Sequence, residues 1–127
     1  MEIEAKEFGG VEVITVQGRV DSVHAGQLAR ALESASHRGI HKIIVDMGQL
    51  EYMSSAGFRA LGDAQRRSLR HPGGEVVLAQ VPVLIREALE LVGFTENFHL
   101  ADSVSTAREW IATRFPGDPT TTAPAAS

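Results

Sequence analysis

Ile43-Ile44-Val45-Asp46-Met47, followed by Tyr52-Met53-Ser54-Ser55-Ala56-Gly57-Phe58-Arg59-Ala60-Leu61, decides how this chain folds. The first run belongs to a segment, 42–47, that is mostly apolar and β-branched, which predicts a central strand covered on both faces. The second run opens a segment in which Phe58, Leu61, Gln65 and Leu69 line one side, with Ala60 and Ala64 beside them. Arg59, Asp63, Arg66, Arg67 and Arg70 populate the other side. That period predicts a helix to about Leu69, ended sharply by His71-Pro72-Gly73-Gly74. Two hydroxyls, Ser54 and Ser55, therefore stand where a strand hands over to a helix. A helix start presents unpaired N–H groups and a partial positive charge, so it holds anions such as phosphate.

Working outward, residues 3–8 and 11–17 read as paired strands, with Gly9-Gly10 as a hairpin turn and Gly18 and Asp21-Ser22 as the stop. Asp21 or Ser22 is expected to cap a helix over roughly 24–37, whose apolar stripe is Leu28, Ala31, Leu32 and Ala35. His37-Arg38-Gly39 supplies its basic last turn and glycine stop. Glu75-Val76-Val77-Leu78-Ala79 reads as the next strand. Pro82 starts a short helix with Leu84, Ile85, Ala88, Leu89 and Val92 as its apolar face, and Gly93 ends it. Phe94 and Phe98-His99-Leu100 suggest a short last strand. Ser103 or Ser105 caps a final helix containing Ala107, Trp110, Ile111 and Phe115.

The order β-β-α-β-α-β-α-(β)-α predicts an α/β fold: a central mixed, mainly parallel sheet of four to five strands with about four helices. On such sheets functional contacts gather at the carboxyl ends of strands, which is where Ser54-Ser55 falls. One domain over 1–115 is expected, followed by a tail, 116–127, of Pro, Thr, Ala and Ser without periodicity, expected to be disordered.

Composition narrows the function classes. The chain has 127 residues, a net charge of −4 and no cysteine, so disulfides and thiolate chemistry are excluded. Its only basic cluster is Arg66-Arg67 with Arg70, which argues against a nucleic-acid partner. No apolar run reaches the ~18 residues of a membrane span, and the N-terminus lacks a signal-peptide core, so a soluble cytoplasmic protein is expected. His37 and His41 are spaced like a metal pair, but Gly39 breaks the helix between them and no third ligand stands out, so no metal site is expected. The glycine pairs lack the Lys-Ser/Thr of a nucleotide loop, and no Gly-x-Ser-x-Gly surrounds the serines, so neither a nucleotide-binding nor a serine-hydrolase reading finds support.

Ser54 is best read as the N-cap of its helix, and Ser55, one residue further in, as a hydroxyl free to point outward. Gly57, without a Cβ, is expected to let a partner or a phosphate approach the backbone. The stretch Met53-Ser54-Ser55-Ala56-Gly57-Phe58-Arg59-Ala60-Leu61 resembles the motif of the STAS family of anti-sigma-factor antagonists. The resemblance extends over about residues 3–113. It implies phosphorylation of Ser55, with Ser54 as second choice, by an anti-sigma factor that is also an ATP-dependent serine kinase. It further implies a PP2C-type phosphatase that resets the site, and a partner surface of Tyr52, Met53, Ser54, Ser55, Ala56, Gly57, Phe58 and Arg59. In this picture the chain is not an enzyme, takes no cofactor and meets neither nucleic acid nor membrane. Ser54 stands where the family pattern has Asp. The rival within the same fold is a constitutive scaffold, such as a transporter or stressosome-like subunit without a phospho-switch. A small-molecule binder, a third class, requires a ligand at the strand ends.

Overall fold

A computed structural model describes residues 1–113. Phe115 and the tail expected over 116–127 lie outside the described residues. The strands are β1 (Glu2–Phe8), β2 (Val11–Val20), β3 (Lys42–Met53), β4 (Glu75–Ala79) and β5 (His99–Ala101). The α-helices are α1 (Ala25–His37), α2 (Ser55–Leu69), α3 (Val83–Leu91) and α4 (Val104–Thr113), with a 3₁₀ turn at Phe94–Asn97 that the sequence reading did not include. The strands lie side by side in chain order; β1 is antiparallel to β2, and every later pair is parallel.

The hairpin follows from Gly9 and Gly10, which take φ of +58° and +86° between the paired Phe8 and Val11. Two consecutive positive φ values make the turn whose twist suits a two-residue hairpin loop. The sheet then grows in one direction, so right-handed crossovers put α1, α2 and α3 on the same face. There Leu28, Leu32, Leu61, Ile85 and Leu89 pack on Ile14, Val16, Ile43, Val45, Val76 and Leu78. α4 covers part of the opposite face, where Ala107 and Ile111 meet Val13, Ile44 and Val77. Ile43, Ile44 and Val45 are all buried because each face of the strand is covered.

Several boundaries and faces differ from the expectation. β3 runs to Met53 rather than stopping at 47, and β2 runs to Val20 rather than 17. Past Asp46 and Ala79, β4 no longer accompanies β3, which continues against β2 alone. Here the register slips between Thr15 and Gln17 and between Gly18 and Arg19. Met47, Leu50 and Met53 are buried at every third position, so the two-residue alternation that marks a strand is absent. Leu84 and Val92, expected on the inner face of α3, are 79% and 62% exposed. α3 is held through Ile85 and Leu89 alone, so its apolar content exceeds what the fold buries. Leu69, at the last turn of α2, is also exposed.

Candidate functional site

The long β2–β3 ribbon carries the start of α2 beyond the rest of the sheet. Ser54 has extended backbone angles, φ −78° and ψ 169°, and its N–H donates to the Val20 carbonyl at 2.8 Å. Its Oγ accepts the Gly57 N–H at 3.3 Å, and its carbonyl accepts the Phe58 N–H at 3.1 Å. Ser54 is thus the N-cap, as the sequence predicts, with its hydroxyl occupied by the cap. Ser55 is the first residue of the helix and is exposed. The two adjacent hydroxyls therefore differ: one closes the helix end and the other faces outward.

The expected partner surface divides in the same way. Tyr52, Ser55 and Arg59 are exposed, while Ser54, Ala56 and Phe58 are partly so. Met53 is 5% exposed and Gly57 is buried, so both lie beneath the surface instead of forming it. The reason is the close seating of the helix. A Cβ on Gly57 would stand 2.6 Å from Met53 Cγ and 3.1 Å from Val20 Cγ1. Gly57 therefore brings the first turn of α2 down onto the ribbon, and its backbone is not open to a ligand as expected.

Around this helix start the fold gathers charged and aromatic groups that sequence distance hides. The Arg19 guanidinium lies over the Tyr52 ring, 4.5 Å from its centroid. The loop after Val20 is tied by Asp21, whose Oδ1 accepts the His24 N–H at 2.9 Å and lies 2.7 Å from His24 Nδ1. The hydrogen bond from the His24 backbone, helped by the His24 ring, holds the Asp21 carboxyl below its usual range. Neither Asp21 nor Ser22 caps α1; the N-cap position is His24, without a side-chain cap bond. On the other side of Ser55 a groove of about 270 Å³ is lined by Ser55, Phe58, Arg59, Arg66 and Phe94, among others. The 3₁₀ turn brings Phe94 to within 6.0 Å of Phe58, centroid to centroid, and this pair makes the apolar floor.

The far end of α2 is sewn to the sheet by a residue whose role the sequence hid. Gln65 is 4% exposed; its Oε1 accepts the Val76 N–H at 2.7 Å and its Nε2 donates to the Asn97 carbonyl at 2.6 Å. β5 pairs only with Val77–Ala79, so Gln65 supplies the partner that the short strand does not reach. Glu12, a charged residue within β2, is 2% exposed and pairs with Arg38 at 2.6 Å. That pair raises the Arg38 pKa through the hydrogen bond to the carboxylate. His41 does not face His37: its ring stacks on His71 at 3.5 Å. Among the described residues no group of three metal-binding side chains exists. No described helix is long and apolar enough to cross a membrane.

A single α/β sheet that raises a capped helix start, with one free serine, above its carboxyl edge defines the class of protein. Comparison with known proteins makes it specific. The family model for the STAS domain matches residues 2–107. A relative named as the anti-sigma factor antagonist BtrV, from Bordetella bronchiseptica, is 32% identical over 116 residues, covering 91% of this chain and 99% of its own. The chain belongs to the STAS domain family. The fold is also that of solved structures. An anti-sigma factor antagonist from Mycobacterium paratuberculosis superposes with a TM-score of 0.79 at 19% identity, over 87% of this chain and 92% of that one. The phosphorylated form of the Bacillus cell fate determinant SpoIIAA gives 0.70 at 17% identity, over 87% and 99%.

Proposed function

We propose that this chain is an anti-sigma factor antagonist controlled by phosphorylation of Ser55. The unphosphorylated form binds an anti-sigma factor that is also a serine kinase, and so releases a sigma factor or another effector. The kinase transfers the γ-phosphoryl group of ATP to Ser55 Oγ, ADP leaves, and the hydroxyl proton passes to a base of the kinase. A PP2C-type phosphatase hydrolyses the phosphoserine and restores the binding form. In this cycle the chain is a substrate and a ligand, and catalysis belongs to its partners.

The observation that carries the reading is the asymmetry of the two serines: Ser54 is committed to the cap, and Ser55 is exposed on the first turn. A phosphate there carries about −1.5 to −2 charge beside the N–H groups of a helix start, a location worth about 0.3–1 kcal/mol in its favour. The domain therefore tolerates the modification, and the loss of binding arises at the interface. A desolvated phosphate without a cation is costly, and each ~1.4 kcal/mol weakens the complex tenfold. The name of the 32% identical relative supports the antagonist part of this reading.

The test is phosphorylation in vitro with the partner kinase and ATP, followed by mass spectrometry and a binding assay. One phosphate on Ser55, its loss in Ser55→Ala, and weakened binding by the phosphoprotein are expected. A modified Ser54 would move the acceptor to the second-choice residue. Undiminished binding by both the phosphoprotein and Ser55→Asp would instead leave a constitutive scaffold.

A further inference from the structure

We propose that Arg59 is the residue that holds a phosphate on Ser55. The inference rests on the phosphorylation reading above and concerns what the modified site does next. Ser55 and Arg59 are one helical turn apart, a spacing that places their side chains on the same face of α2. Both line the groove of about 270 Å³ beside the helix start, so the two groups share one accessible space.

The cations of this groove are not equivalent. Arg66 already has a partner in Asp63, three residues before it, although the pair is solvent-exposed and weak. Arg59 is exposed and takes part in no ion pair among the described residues. It is also the nearer in sequence to Ser55. Phe58 and Phe94 close the floor of the groove and lower its polarity, which strengthens a charge pair formed against them. A guanidinium presents paired donors that match two phosphate oxygens, whereas a lysine offers only a point charge. Phosphorylation thereby changes the surface twice: it adds negative charge at Ser55 and withdraws the free cation at Arg59. A partner carboxylate that met Arg59 in the unmodified protein loses its counter-charge in the same step.

The experiment uses the full chain with phosphoserine genetically encoded at position 55, so it needs no kinase. Titration of the phosphate by ³¹P NMR at low salt reads the second ionisation directly. A paired guanidinium lowers that pKa by about 0.5 unit relative to Arg59→Gln, and Arg59→Lys recovers part of the shift. High salt narrows the difference. The helix terminus acts equally on both proteins, so it cancels in the comparison. An unchanged titration in Arg59→Gln, or an equal shift in Arg66→Gln, overturns the assignment. Failure of a kinase to label Ser55 counts against the phosphorylation reading alone, because the encoded phosphoserine is present regardless.

Discussion

The two ends of α2 are built in opposite ways. Its start, at Ser54 and Ser55, sits on the ribbon through Gly57 and the Ser54 cap, and leaves Ser55 exposed beside a groove. Its end is tied down by buried polar contacts: Gln65 bridges to Val76 and Asn97, and Gly74 passes tightly over the Ser68 carbonyl. The end contacts orient the helix against the sheet. The start can then carry an exposed group at Ser55, beside the N–H groups of the helix terminus, without loss of position. One helix thus divides anchoring from exposure between its termini.

The sharpest way to break this contrast is Gln65→Leu. The Val76 N–H and the Asn97 carbonyl lose their partners, and a buried unsatisfied group costs about 1–3 kcal/mol, so a loss of about 3 kcal/mol is expected in urea unfolding. A loss below 1 kcal/mol would show that the clasp does not anchor the helix. Gly74→Ala comes next. Its Cβ would fall 2.1 Å from the Ser68 carbonyl oxygen, a backbone atom that cannot rotate away, and overpacking of this kind costs about 2 kcal/mol. Calorimetry should register a clear drop in Tm. At the open end, Ser54→Ala should cost about 1 kcal/mol by removing the cap, whereas Ser55→Ala should change stability by less than about 0.5 kcal/mol. Equal losses from the two serines would erase the distinction between cap and free hydroxyl.

The smallest expected effect concerns pH and the anchored end. His41 is held below its ordinary value of 6.5, first by burial and then by the neighbouring His71. The folded state therefore binds a proton at His41 less readily than the unfolded state. The sign follows: stability is full above pH 6.5 and falls as pH drops from there through the lowered folded pKa. Thermal melts between pH 7.5 and 5 should show this decline, and His41→Gln should flatten it. A decline of the same size in His41→Gln would assign it to another group.

Much of this arrangement is legible along the chain. The β-branched run at 43–45, the glycine hairpin and the periodicity of α2 require only local propensity and a covered sheet. The Ser54 cap is equally local, because an extended serine followed by an apolar helix closes the same ring wherever it occurs. The closing segment followed this rule too: Ser103 and Thr106 cap α4 reciprocally, the Thr106 N–H donating to Ser103 Oγ at 3.0 Å and the Ser103 N–H to Thr106 Oγ1 at 3.2 Å.

Other features depend on partners far away in sequence. The reach of β3 to Met53 depends on pairing with β2 through two irregularities that each place an extra residue in β3, between Asp46 and Gln49 and between Leu50 and Tyr52, and bulges erase the alternation by which strands are recognised. Gln65 falls on the inner side of the α2 period, but its two partners emerge only because β5 is too short to pair with Val76. Gly57 looks like an opening for a ligand until Met53 and Val20 fill the space. The amino-acid sequence by itself determined the order of elements, the capped helix start and the presence of a second, uncapped serine. Only the tertiary structure decided which residues surround that serine, because the groove joins α2 to a 3₁₀ turn more than thirty residues later. Local rules set the hydroxyl; chain packing set the charge and shape around it.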